Sequence, residues 1–315
     1  MIFKLSILLV TYNHEKYIRK AMEGILKQRI EEDIQLIIAD DGSSDRTVQI
    51  IQEFEERDSR FNFNYLDNKS NLGITKNYKR GFAACFGEYV AIIEGDDYWV
   101  SPFKLQRQQE FLDSHWECDI CSVNYFIYNE EQARFIKRSP ACTGYRLLTA
   151  RELIFDNIIG NFSTCMYRKT ALNQLPSELF EIVSYDWIVN ICITQHSLAA
   201  FLEEPMSVYR LHSSGTWTQK TPSEKLKAQF DLIPAYDKLT NYVFHTDFEI
   251  LSNSLHSQIT NSSIKMRMKM ITQPISQLLS LIIDYTPPLF ITIISAIVPP
   301  KVKRGFAKIL RRSSI

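Results

Sequence analysis

Three short apolar runs, Lys4–Tyr12, Ile34–Ala39 and Tyr89–Ile93, and a fourth strand-like run, Phe61–Leu66, alternate with segments of helical period. A strand that is apolar on both faces must be covered on both faces. The alternation therefore predicts an α/β fold, a mainly parallel, Rossmann-like sheet with helices above and below. After the first run, Tyr17, Ile18, Ala21, Ile25 and Leu26 share one helical face. Asp45 reads as the N-cap of an amphipathic helix over Arg46–Glu56, and Gly87 as the C-cap of one over Ile74–Phe86. Open sheets of this kind bind ligands beyond the carboxyl ends of their strands. Those ends here are Thr11-Tyr12-Asn13, Asp40-Asp41 and Glu94-Gly95-Asp96-Asp97.

Further along, Lys104–Ser114 reads as helix, Cys118–Tyr128 as strand, Asn129–Thr143 as loop, Ala150–Ile158 as helix and Ser163–Tyr167 as strand. A helix over Asp186–Thr194 and an extended segment over Ala199–Tyr209 complete the pattern. Beyond residue 220 the sheet signals fade and Ser223–Tyr242 and Phe248–Ile282 look helical, so the division expected is 1–220 and 221–315. The 315 residues, 45% of them hydrophobic, suffice for one large core with an appended segment.

Net charge is zero, but from Ile264 onward nine Lys and Arg residues face Asp284 alone, about +8 against about −8 for the rest. The apolar run Leu289–Val298, between two Pro-Pro pairs, is too short to span a bilayer. Beside basic residues it suits peripheral contact with an anionic membrane surface through 287–315. No signal peptide is read at the N-terminus. The lone Cys118-x-x-Cys121 pair lies in a strand, and the six cysteines read as free thiols of a reducing cytoplasm.

Adjacent carboxylates at the end of a buried strand are unfavourable unless a cation neutralises them. The oxygen ligands of Glu94-Gly95-Asp96-Asp97 suit Mg²⁺ or Mn²⁺ rather than zinc. Gly95 allows the chain to turn closely beside a ligand. An ion there can bridge a diphosphate and stabilise it as it leaves.

These residues resemble the inverting glycosyltransferases of family 2, with the GT-A fold, over roughly Lys4–Thr218. Ser6–His14 looks like the opening strand of that family, and Ile38-Ala-Asp-Asp-Gly-Ser-Ser-Asp-Arg-Thr47 like its second motif. Asn71-Leu-Gly73 and Gly87–Asp97 match the third and fourth, in order and spacing. The resemblance implies a metal-dependent transferase that moves a sugar from a nucleotide-sugar donor to a saccharide or lipid-linked acceptor, with no role for nucleic acid. Tyr12 and Asp41 would contact the base, beside Thr11, although Tyr12 reads equally as a buried aromatic. Asp96 would meet the ribose or the metal, and Asp97 would be the main metal ligand. Lys76 or Arg80 would approach the diphosphate. His212, in the loop Arg210–Gly215, would reach phosphate or the metal shell. Asp186, in Ser184-Tyr-Asp-Trp187, stands where the family places its catalytic base, although a helix N-cap also explains it.

Two other classes compete. A nucleotidyltransferase also uses acidic strand ends and a metal, but such enzymes usually open with a glycine-rich loop, and Thr11-Tyr-Asn-His14 has none. A non-catalytic nucleotide-binding protein fits the fold, and donor hydrolysis by the purified chain distinguishes it.

Overall fold

The computed structural model describes residues 3–67, 70–136, 144–183, 186–213, 215 and 217–261. The alternation becomes β1 (Leu5–Thr11), α1 (Ile18–Leu26), β2 (Ile34–Asp40), α2 (Thr47–Gln52), β3 (Phe61–Tyr65), α3 (Ile74–Ala84) and β4 (Tyr89–Glu94). The strands lie in the order β3-β2-β1-β4, all parallel. Side chains alternate across a strand, and the sequence uses both faces. Leu8, Val10, Ile37, Ala39, Val90 and Ile92 join Tyr78 and Phe82 of α3 in one buried cluster. Ile7, Leu9, Leu36, Ile38, Ala91 and Ile93 join α1 and α2 residues in the other. Each large aliphatic side chain so buried contributes about 1.5–3 kcal/mol before chain entropy is set against it.

Gln35, the polar residue inside β2, has a local explanation. It accepts from Ser6 Oγ at 2.6 Å and from the Phe86 N–H at 2.8 Å, and donates to the Ala84 carbonyl at 3.0 Å. Gly87 closes this knot rather than capping α3, which ends at Ala84 with Cys85 as its C-cap. Its N–H reaches Ser6 Oγ, and a Cβ there would stand 2.5 Å from the Ser6 nitrogen.

The second half comprises β5 (Tyr98–Trp99), α4 (Lys104–Ser114), β6 (Cys118–Asn129), β7 (Arg134–Ile136), β8 (Tyr145–Leu148), α5 (Ala150–Phe155), β9 (Cys165–Arg168), α6 (Lys169–Leu172), α7 (Asp186–Ile193), β10 (Leu198–Leu211) and α8 (Pro222–Leu239). The sheet continues β4-β9-β6-β10-β5. Strand β9 is antiparallel to both β4 and β6, and β10 is parallel to β6. Two reversals restore the direction of β4, so β6 and β10 end at the edge where β1, β2 and β4 end. Because β9 runs the other way, its beginning reaches that edge. The result is a mixed α/β sheet, parallel in its first half.

Some boundaries differ from expectation. The supposed loop after β6 contains β7, a hairpin partner with Ile127 opposite Ile136. Helix α5 stops at Phe155, and 157–161 forms a turn that leads through a 3-10 segment, Phe162–Thr164, into β9. The N-cap of α2 is Arg46, although Asp45 still accepts from the Thr47 N–H at 3.0 Å. Met1–His256 is one compact unit, so the division expected near 220 falls inside it. Ile233 and Tyr236 of α8, with Phe248 and Leu255 of the helical stretch 245–261, belong to the buried cluster shared with the sheet. The apolar and basic tail expected over 287–315 lies outside the described residues, as does Cys142. Cys85, Cys118, Cys121, Cys165 and Cys192 are buried free thiols. Among the described residues no helix is long and apolar enough to cross a membrane.

Candidate active site

Register sets the site. Thr11 stands opposite Asp40 and Val10 opposite Glu94, so three strand ends meet side by side. The turn after β4 lies against the end of β1, and Gly95 permits it: a Cβ there would meet Thr11 Oγ1 at 2.7 Å and His14 Nδ1 at 2.8 Å.

The adjacent pair Asp96 and Asp97 divides its labour. Asp97 is 1% exposed. Its Oδ1 accepts from the Arg210 N–H at 2.9 Å, and its Oδ2 from Asn161 Nδ2 at 2.5 Å. These bonds tie β10 and the turn before β9 to the end of β4. The more open carboxylate is Asp96, whose side chain is 22% exposed. Its Oδ2 lies 2.9 Å from His212 Nε2 and 3.9 Å from His14 Nε2. Arg210 Nε donates to the Asp96 carbonyl at 2.7 Å, and its guanidinium pairs with Glu130 and lies over the rings of Tyr17 and Tyr98.

Charge is crowded here. Burial, then the charges of Asp96, Asp97 and Asp186, push Glu94 well above the usual carboxylate range. Tyr78 donates to Glu94 Oε1 at 2.9 Å. Burial and then Asp96 push Asp97 up to about 7. For Asp96 burial works in the same direction, but the His212 hydrogen bond and the nearby imidazoles outweigh it and hold the group low. Burial lowers His14. Asp186 is pushed up to about 6 by burial, against the hydrogen bonds from Asn157 and the Trp187 N–H. Its charge acts on Glu94, Tyr78, Tyr167 and Tyr209.

The nucleotide-side residues are more dispersed. Thr11 is buried, with Oγ1 3.2 Å from His14 Nδ1, while Tyr12 is 45% exposed and so is no core aromatic. Asp41 is buried and accepts from the Leu72 and Gly73 N–H groups at 2.9 and 3.0 Å, which ties Asn71-Leu-Gly73 to the end of β2. Arg80 is engaged with the carbonyls of Asp40 and Asp67, whereas Lys76 is exposed on α3. Sequence reading missed Asn157 and Asn161, which bring amides to Asp186 and Asp97. Their signal was Asn157-Ile-Ile-Gly-Asn161, turn-forming residues inside an apolar stretch.

A divalent cation can be tested against this donor set. Among the described residues no three His, Cys, Asp or Glu groups are arranged to hold a metal. Asp96 with His212 offers one carboxylate and one imidazole. The neighbouring carboxylates of Asp96 and Asp97 fit an ion of the Mg²⁺ type, which is held by one or two carboxylates and takes the rest of its shell from substrate phosphates and water.

Comparison with known proteins agrees with this architecture. A relative in Mycobacterium tuberculosis, an uncharacterised protein, is 35% identical over 68% of this chain and 60% of its own length. The putative glycosyltransferase EpsH of Bacillus subtilis is 32% identical over 66% of this chain and 61% of its own. The chain thus spans about three-fifths of these relatives. Among solved structures, Staphylococcus aureus TarS 1–349 in complex with UDP-GlcNAc superposes with a TM-score of 0.57 at 19% identity, over 76% of this chain and 70% of that one. The mannosyltransferase PcManGT of Pyrobaculum calidifontis, in complex with GDP-Man and Mn²⁺, gives 0.54 at 13% identity, over 88% and 80%. At such identities the likeness is one of fold. The family model for glycosyl transferase family 2 matches residues 6–175, more than half of the sequence, and the chain belongs to that family.

Proposed function

We propose that this chain transfers a sugar from a nucleotide-diphosphate sugar to an acceptor hydroxyl with inversion at the anomeric carbon. The observation that carries the reading is Asp186, hydrogen-bonded to Asn157 on the same turn whose Asn161 reaches Asp97, with its proton affinity raised by burial. A base titrating near 6 is ionised at neutral pH yet basic enough to take a hydroxyl proton as the oxygen attacks. Attack in line with the departing diphosphate inverts the centre, and no second carboxylic acid is required, unlike a glycosidase pair. Asp97 and Asp96, with His212 beside Asp96, would hold Mg²⁺ or Mn²⁺. Such an ion supplies neutralising charge for the leaving diphosphate. Tyr12, beside Thr11, offers its exposed ring to the nucleobase, Asp41 orders the neighbouring loop and lies near the base, and Lys76 offers a cation for phosphate. The basic, apolar sequence after residue 287 supports an acceptor at the inner face of the plasma membrane, as in polysaccharide or glycolipid assembly.

Thermal unfolding with UDP-GlcNAc or GDP-Man, with and without Mn²⁺, tests the metal assignment, because a ligand selective for the folded state raises its stability. The wild type should gain Mn²⁺-dependent stability with at least one donor. Asp96→Asn should lose that gain. An undiminished Mn²⁺ effect in the variant would move the ligand elsewhere.

A further inference from the structure

Asp186 opens α7 with its Oδ1 accepting from the Trp187 N–H at 2.8 Å and its Oδ2 from Asn157 Nδ2 at 3.2 Å. Among the described residues, Asn157 supplies the one side-chain donor to this carboxylate. The titratable groups that feel its charge are Tyr78 on α3, Glu94 on β4, Cys165 and Tyr167 on β9, and Tyr209 on β10. The hydrogen bond from the Asn157 amide, and after it that from the Trp187 N–H, oppose burial at Asp186.

The turn that carries Asn157 is fixed at several points. The Asn157 carbonyl accepts from the Gly160 N–H at 3.3 Å. Gly160 sits at φ +83°, and a Cβ there would stand 2.5 Å from a ring carbon of Tyr125. The Ile159 carbonyl accepts from Ser122 Oγ at 2.5 Å and Thr164 Oγ1 at 2.8 Å. Asn161 then reaches Asp97. One short turn thus links Asp186 to the acidic run after β4. The Asn157 Oδ1 is buried without a hydrogen-bond partner among the described residues. An unpaired buried carbonyl is unfavourable, so the side chain is not oriented to satisfy itself, and alanine in its place removes that penalty.

We propose that Asn157 is the positioning residue for the base, its amide holding the Asp186 carboxylate in the rotamer that receives the acceptor proton. The proposal rests on the reading of Asp186 as base. Its test is the pH–rate profile for turnover of UDP-GlcNAc or GDP-Man with water as acceptor, in the wild type, Asn157→Ala, Asn157→Gln and Asp186→Asn. A donor to the ionised form lowers a carboxyl pKa. Removing it should move the acid limb of Asn157→Ala upward by about one pH unit and lower the plateau about tenfold. The donor KM should not change, and Asn157→Gln, which keeps an amide, should recover part of both effects. An unmoved acid limb with an unchanged plateau would overturn the proposal, as would a fall in thermal stability with a rise in donor KM and no limb shift. Should Asn157→Ala fail to fold, Asn157→Asp reads the same limb, which a second carboxylate must raise further. Asp186→Asn separates the two ideas. Wild-type turnover in that variant would sink the base itself, whereas an inactive Asp186→Asn beside an unshifted Asn157→Ala would sink only the positioning role.

Discussion

The carboxylates along one edge of the sheet fall into two sets. Around β1 and β2, Asp40 accepts from the Gly42 and Ser43 N–H groups, Asp41 from those of Leu72 and Gly73, and Asp45 from those of Glu15 and Thr47. At Asp45 burial works to raise the pKa, but the bonds from Thr47 and Glu15 win and it lies below its ordinary value. Around β4, Asp97 is buried and Glu94 and Asp186 are half-buried, and all three are raised. Backbone amides make the first set part of the scaffold: negative charge is met in place by fixed donors. The second set holds unfavourable charge, which a proton or a cation can relieve. Residue type and strand-end position are shared between the sets. What separates them is mutual repulsion: Asp96 and Asp97 act on Glu94, and Asp96 on Asp97.

The contrast can be broken in the second set by pH. Asp186 must be ionised to accept a proton, and its pKa is raised to about 6. Turnover should therefore fall as pH drops through about 6, approaching tenfold per pH unit below it. A flat profile between about pH 4 and 7 would assign the proton to another group. The linked stability has the opposite sign: a raised carboxyl favours the folded state at low pH, and that contribution disappears as pH rises through about 6. In the first set the expected effect is smaller and falls on stability. Asp41→Ala leaves two N–H donors without their acceptor, costing about 1–3 kcal/mol, measurable by denaturant unfolding. Lost donor affinity at unchanged stability would instead move Asp41 into the second set.

Much of the fold was legible because it follows from periodicity. Helix α4 runs over Lys104–Ser114 as the spacing predicts, and β1, β2 and β4 lie where the sequence is apolar on both faces. Strands β5 and β7 carry little such signal: they are two and three residues long. The carboxylate-rich ends of β2 and β4 were legible too, since acid at the end of a buried strand needs a reason. The hydrogen bonds that hold each carboxylate were not. Asp96 and Asp97 are neighbours in sequence, yet the Arg210 N–H and the Asn161 amide, supplied from β10 and the turn before β9, decide which one is engaged. Those donors come from chain segments far from Asp97 in sequence, and only the reversal at β9 brings its leading turn to the site.

The most direct measurement is turnover and donor affinity of Asp186→Asn, by product assay and calorimetric titration on the same preparation. The account predicts that donor Kd stays close to wild type while turnover falls about 10²- to 10⁴-fold, the range for a lost general base. Wild-type turnover in Asp186→Asn would contradict it.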